Sequence, residues 1–223
     1  EDSGLVEIES HSGQHKICFI DDKIIDFQHP DRYGKLVYPW LFSAIDKKEN
    51  DLNWGMPVYP YMTRMVASCF FDDAGLRNAC ISYVKENGGV NFFKQNNWRT
   101  QLKLLVKKYK KTQDLNVSFE NEIERELAIR ESLLNAKAEI EKRLNKKCEH
   151  FAYPWNISGK LSLLWLKELG FKTVFRFMDS WHMPRVGCDL YGLSRIDGYW
   201  INSLPGKGRV SIWDKVTKKL RIK

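Results

Sequence analysis

Apolar positions along this chain either recur near every 3.6 residues or gather in short runs, and each pattern predicts its own elements. From 119 to 145, Ile123, Leu127, Leu134, Ala138, Ile140 and Leu144 recur at helical spacing, which predicts one long amphipathic helix. Ser118 stands where its N-cap belongs. Glu120, Glu122 and Glu124 crowd the first turns and Lys142, Arg143, Lys146 and Lys147 the last, an order that complements the helix dipole. Shorter helices are predicted over 74–86, with Leu76, Cys80, Ile81 and Val84 on one side and Gly88-Gly89 as the stop, and over about 97–111. A further helix runs from Leu161 to Gly170. The short runs 5–8, 149–153 and 173–175 read as strands. Residues 28–62 are dense in Pro, Tyr and Trp, a composition that excludes long helices and predicts an ordered loop held by aromatic packing.

Composition narrows the class. A chain of 223 residues with 43% hydrophobic and 29% charged positions is that of an ordinary globular protein with a sizeable core. No apolar run approaches the roughly 18 residues of a membrane span, and no signal peptide opens the sequence. The five cysteines, Cys18, Cys69, Cys80, Cys148 and Cys188, are odd in number and scattered without a C-x-x-C pair. Reduced thiols and a cytoplasmic setting are expected from that pattern. The net charge of +8 comes largely from Lys103, Lys107, Lys108, Lys110 and Lys111 and from the tail Lys215, Lys218, Lys219, Arg221 and Lys223. Such runs are ordinarily solvated faces. No nucleic-acid motif accompanies them, so nucleic acid is not an expected partner; an anionic glycan or a lipid-phosphate carrier suits the charge equally well.

Candidate chemistry lies in two segments. Glu7-Ile8-Glu9-Ser10-His11-Ser12-Gly13-Gln14-His15 places two histidines four residues apart directly after an apolar run. If the chain turns helical there, both imidazoles share one face and one divalent metal. A surface helix or loop with no ligand is the alternative. The second segment is Phe151-Ala152-Tyr153-Pro154-Trp155-Asn156, followed by the helix that ends at Gly170-Phe171 and leads into Thr173-Val174-Phe175.

Taken in this order, the two segments resemble the NodB-type polysaccharide deacetylases, carbohydrate esterase family four, over residues 4–17 and about 120–200. The resemblance implies an α/β fold, a NodB-like distorted (β/α) barrel, as a single domain over 1–223 with a large mixed insertion at 28–112. It implies a metal-dependent hydrolase that removes acetyl groups from a sugar or polysaccharide in surface-glycan biosynthesis. His11 and His15 would be metal ligands, with zinc the first expectation among divalent ions. Tyr153 and Pro154 would line the substrate groove. The Trp155 amide would hold the oxyanion formed at an acetyl carbonyl, a donor commonly worth roughly 3 kcal/mol of barrier. His182, supported by Asp179, would be the acid that protonates the leaving group, and Arg195, in a segment resembling the closing strand, would face the groove.

Departures from the family pattern set the alternatives. The family's first motif, Thr-Phe-Asp-Asp-Gly, supplies a catalytic base and a metal-binding aspartate upstream of the histidines, and only ten residues precede His11. The expectation is a chain that lacks the start of its domain. Phe70-Phe71-Asp72-Asp73-Ala74-Gly75 is similar to that motif but lies downstream, inside the insertion. The arginine that commonly precedes the Pro-aromatic turn is also absent, and His182 lacks the family's Leu-x-His context. A non-catalytic relative that binds glycan or a partner through the aromatic insertion is the alternative function.

Overall fold

The computed structural model describes residues 7–13, 15–32, 53–177 and 185–195. Its first strand pairings lie in the proline-rich half. Strand β1 (Ile17–Phe19) runs antiparallel to β4 (Tyr61–Thr63), and β2 (Asp26–Phe27) runs antiparallel to β3 (Pro57–Val58). Strand β5 (Phe70–Phe71) leads into helix α1 (Ala74–Glu86), whose buried residues Leu76, Cys80 and Val84 lie on the predicted side. Gly88 and Gly89 then take left-handed backbone angles that end the helix, as glycine does most cheaply. Helix α2 (Trp98–Thr112) buries Trp98, Leu102 and Val106 against α1 and Phe27, which gives this half its own core.

The predicted cap and buried face of the long helix both move. Ser118 and Phe119 form strand β6 (Ser118–Phe119), antiparallel to β5, and are therefore unavailable to the helix. Helix α3 (Glu122–Leu144) starts instead behind Asn121, whose side chain accepts the Glu124 amide while the Glu124 carboxylate accepts the Asn121 amide. That reciprocal pair is a capping box. Ile129 and Leu133 are the fully buried positions and Ile140 packs beside them, while Ile123, Leu127 and Leu134 remain exposed. The helix carries two apolar rows about a third of a turn apart, and the sheet covers only one.

That sheet is parallel. Strands β7 (His150–Ala152), β8 (Thr173–Phe177) and β9 (Leu193–Ser194) pair in that order, with helix α4 (Lys160–Glu168) as the crossover from β7 to β8. Parallel neighbours need such a crossover. Ser10 adds a bridge on the free side of β7: its amide donates to the His150 carbonyl at 3.3 Å and its carbonyl accepts the Ala152 amide at 3.0 Å. Phe151, Tyr153, Phe171, Val174 and Leu166 fill the space beneath α3 and α4. The described strands close no barrel. No described helix is long and apolar enough to cross a membrane.

Candidate metal centre at the carboxyl edge of the parallel sheet

Three chain segments reach the same edge because the strands that carry them are parallel. His11 follows the Ser10 bridge, the Tyr153-Pro154-Trp155 turn follows β7, and Arg195 follows β9. The carboxyl ends of parallel strands are where loops converge and ligands bind in open α/β sheets.

The histidine segment is not a helix. Ser12 and His15 take left-handed angles, φ 66° and 51°, and the Ser12 hydroxyl accepts the His15 amide at 3.3 Å. Gly13 passes close to α3: a Cβ there would stand 3.4 Å from the Ser132 carbonyl. The loop brings the two imidazole centres to 4.9 Å. Two imidazoles bound to one tetrahedral ion at about 2.0–2.1 Å would place their centres roughly 5 Å apart, a separation close to the one seen here.

The tautomer and protonation state of the pair suit ligation. His11 Nδ1 lies 2.7 Å from the Ala152 carbonyl, which only accepts, so Nδ1 carries the proton and the lone pair is on Nε2. Burial lowers the pKa of both histidines, and the nearby Arg195 guanidinium lowers each further. Both are therefore held in the neutral, ligating form near neutral pH.

Trp155 completes the cluster. Tyr153 and Pro154 are buried, and the turn Pro154–Asn156 puts Trp155 and Asn156 at φ 58° and 56°. The left-handed Trp155 stands 40% exposed, its ring centre 4.6 Å from that of His15. Left-handed angles at non-glycine residues cost about 1–2 kcal/mol each, and such strain gathers at functional sites. Here Ser12, His15, Trp155 and Asn156 gather around one histidine pair. Among the described residues no carbonyl accepts the Trp155 amide.

Other predicted positions serve different ends. The Tyr153 ring lies in the core with its hydroxyl 2.9 Å from Ser162, so it anchors the turn to α4. Asp179 and His182 lie outside the described residues, directly after β8. Asp72 is held by Arg77 through two contacts of 2.7 and 3.0 Å, and Asp73 caps α1 through the Leu76 amide. The superficial Asp-Asp motif is thus structural.

Sequence reading missed three supports of the site: the Ala152 carbonyl, the Ser12 hydroxyl and the Glu9 carboxylate. One Glu9 oxygen accepts the Glu149 and His150 amides at 3.0 and 2.9 Å, and the other meets Lys146 at 3.1 Å. Glu9 clamps the histidine-bearing segment to β7. Glu7, Glu9 and His150 also bring ligand atoms within 4.8 Å of one another. Lys146 lies near both carboxylates, at 3.8 Å from Glu7 and 3.1 Å from Glu9, and the His150 ring meets the Thr173 hydroxyl at 2.7 Å. That group is a structural ion pair.

No protein-family model matches the chain, and no curated protein sequence does. In solved structures the chain is similar to a de-N-acetylase from Aggregatibacter actinomycetemcomitans, with a TM-score of 0.44 and 14% identity. The match covers 88% of this chain and 45% of that one, so the chain spans less than half of that protein's length.

Proposed function

We propose that this chain is the metal-binding part of a metal-dependent hydrolase that removes acetyl groups from a carbohydrate, built on a NodB-like distorted barrel. The observation that carries the reading is the His11–His15 pair beside Trp155, with His11 Nδ1 committed to the Ala152 carbonyl. The resemblance of these same motifs to the polysaccharide deacetylases supplies the substrate class and the setting in surface-glycan biosynthesis.

His11 and His15 would hold a divalent ion, zinc by the chemistry of two neutral imidazoles. Bound there, such an ion supplies Lewis acidity, polarising an acetyl carbonyl and easing the ionisation of a water. The chain's own residues do the rest. The Ala152 carbonyl fixes the His11 tautomer, and Ser12 holds the loop at His15. Arg195 brings positive charge to the same edge, suited to a polarised oxygen of the substrate. The Trp155 amide is the donor for a developing oxyanion, and its indole forms an aromatic wall for a sugar ring. In this reading His182, supported by Asp179, protonates the leaving group.

A second reading is favoured by one observation. Among the described residues no carboxylate or thiol joins His11 and His15 to make a three-ligand cluster, and Asp72 and Asp73 are committed to Arg77 and α1. A relative that binds acetylated glycan without cleaving it would look the same. Elemental analysis of the purified protein beside His11→Ala/His15→Ala decides the metal. Near-stoichiometric zinc, lost in the double variant, is expected; no metal even after reconstitution overturns the proposal. Acetate release from N- and O-acetylated oligosaccharides then separates the readings, since metal without release leaves only binding.

A further inference from the structure

Helix α2 carries a face that neither its core packing nor the histidine site uses. Its 15 residues include Arg99, Lys103, Lys107, Lys108, Lys110 and Lys111 and no Asp or Glu. At 100° per residue, Arg99, Lys110, Lys103, Lys107 and Lys111 follow one another across a band of about 120°. All of them are exposed, while Trp98, Leu102 and Val106 point into the core. Arg99 meets Asp26 at 3.4 Å and stacks on Trp98. Among the described residues, none of the five lysines forms an ion pair. Like charges at helical i, i+4 spacing destabilise a helix, so the band disfavours the isolated fold and suits an external anion.

Apolar residues flank this band. On one edge lies a groove of about 250 Å³ floored by Ile24, Phe27 and Val106 and edged by Arg99 and Lys103, with Ile25 exposed at its rim. On the other edge Leu104 is 60% exposed. Basic side chains bordered by exposed aliphatic ones suit a lipid interface, where phosphates meet acyl chains. They suit nucleic acid less, because the helix offers no exposed aromatic ring on which a base could stack: Trp98 is buried and Tyr109 half-buried. We propose that the basic face of α2 docks on an anionic membrane surface, its lysines taking lipid phosphates while Ile25 and Leu104 enter the headgroup boundary. This docking is independent of the acetyl-hydrolase reading and needs no metal.

The test is co-sedimentation of the full chain with vesicles of phosphatidylcholine alone, or of phosphatidylcholine and phosphatidylglycerol in equal parts, at low and high salt. Binding to the anionic vesicles alone is expected, and it should weaken as salt screens the lysines. Each lysine removed should weaken it about fivefold. K103Q/K107Q/K111Q therefore loses about a hundredfold, with circular dichroism confirming that the variant folds. I25S/L104S should weaken vesicle binding while leaving any binding to a short DNA duplex unchanged. Failure of the wild type to bind anionic vesicles overturns the proposal, as does undiminished binding by the folded triple-lysine variant. Equal capture of the DNA duplex, with vesicle binding indifferent to I25S/L104S, overturns the membrane in favour of a general polyanion.

Discussion

Replacing Glu9 by alanine tests how the fold holds its histidine loop. The carboxylate accepts two backbone amides at the start of β7 and pairs with Lys146. Hydrogen bonds to a charged group contribute about 1.5–3 kcal/mol each. Taking the low end for a half-buried site, the two amides are worth about 3 kcal/mol. Lys146, itself partly exposed, adds at most about 1 kcal/mol. Lys146→Met isolates that smaller part, and Glu9→Gln, which keeps a neutral acceptor, should lose about half of the larger one. Urea unfolding reads the stabilities. Hydrogen exchange at the Glu149 and His150 amides reads the local clamp. The loosened loop should also weaken metal binding by about tenfold, the low end for losing a group that orients a ligand. Burial acts to raise the Glu9 pKa, but the His150 amide, Lys146 and the Cys148 thiol outweigh it and hold the carboxyl below its ordinary 4.5. The stability Glu9 lends is therefore complete above about pH 4.5 and is lost as the pH falls through the lowered value. A loss under about 1 kcal/mol in Glu9→Ala, with protection at Glu149 and His150 unchanged, would refute the clamp.

Two further outcomes follow from the same packing. Glu120→Ala removes the carboxylate paired with the buried Arg64 guanidinium, which keeps the Ala67 carbonyl, and the acceptor of the Cys69 amide. It should cost about 3–5 kcal/mol in chemical denaturation, and a loss below about 1 kcal/mol would mean the pair behaves like a surface one. Because burial lowers the pKa of His11 and His15, both are predominantly neutral at pH 6.5 and metal occupancy should persist there, then fall as the pH drops through their lowered values. In the metal-free protein the sign is the same: below pH 6.5 the unfolded chain binds more protons, so stability falls with pH. A metal-binding midpoint above pH 6.5 contradicts that burial effect.

Helices α1, α2 and α4 were legible because their information is local. Leu76, Cys80 and Val84 repeat at helical spacing behind a capping Asp73, and Gly170, with φ at 74°, ends α4 where glycine was expected to. The start of α3 was not legible from Ser118, because that residue joins a strand pair with Phe71 that spans 47 positions of sequence. Its buried face was ambiguous for a related reason. Ile123, Leu127 and Leu134 satisfy the same period as Ile129, Leu133 and Ile140, and periodicity does not say which row a sheet will cover.

The site divides along the same line. The sequence by itself determined which residue types were present: two histidines four apart, a Pro-aromatic turn, and an arginine after the last described strand. Tertiary structure decided that the histidines meet through a left-handed loop and not along a helix. It also decided that Ala152, 141 residues from His11, sets its tautomer, and that Trp155 leans on His15 while Tyr153 turns inward. Local preferences act over a few residues and are written in spacing and caps. Which groups meet across a parallel sheet depends on strand order and register, and those are settled only when the whole core is buried at once.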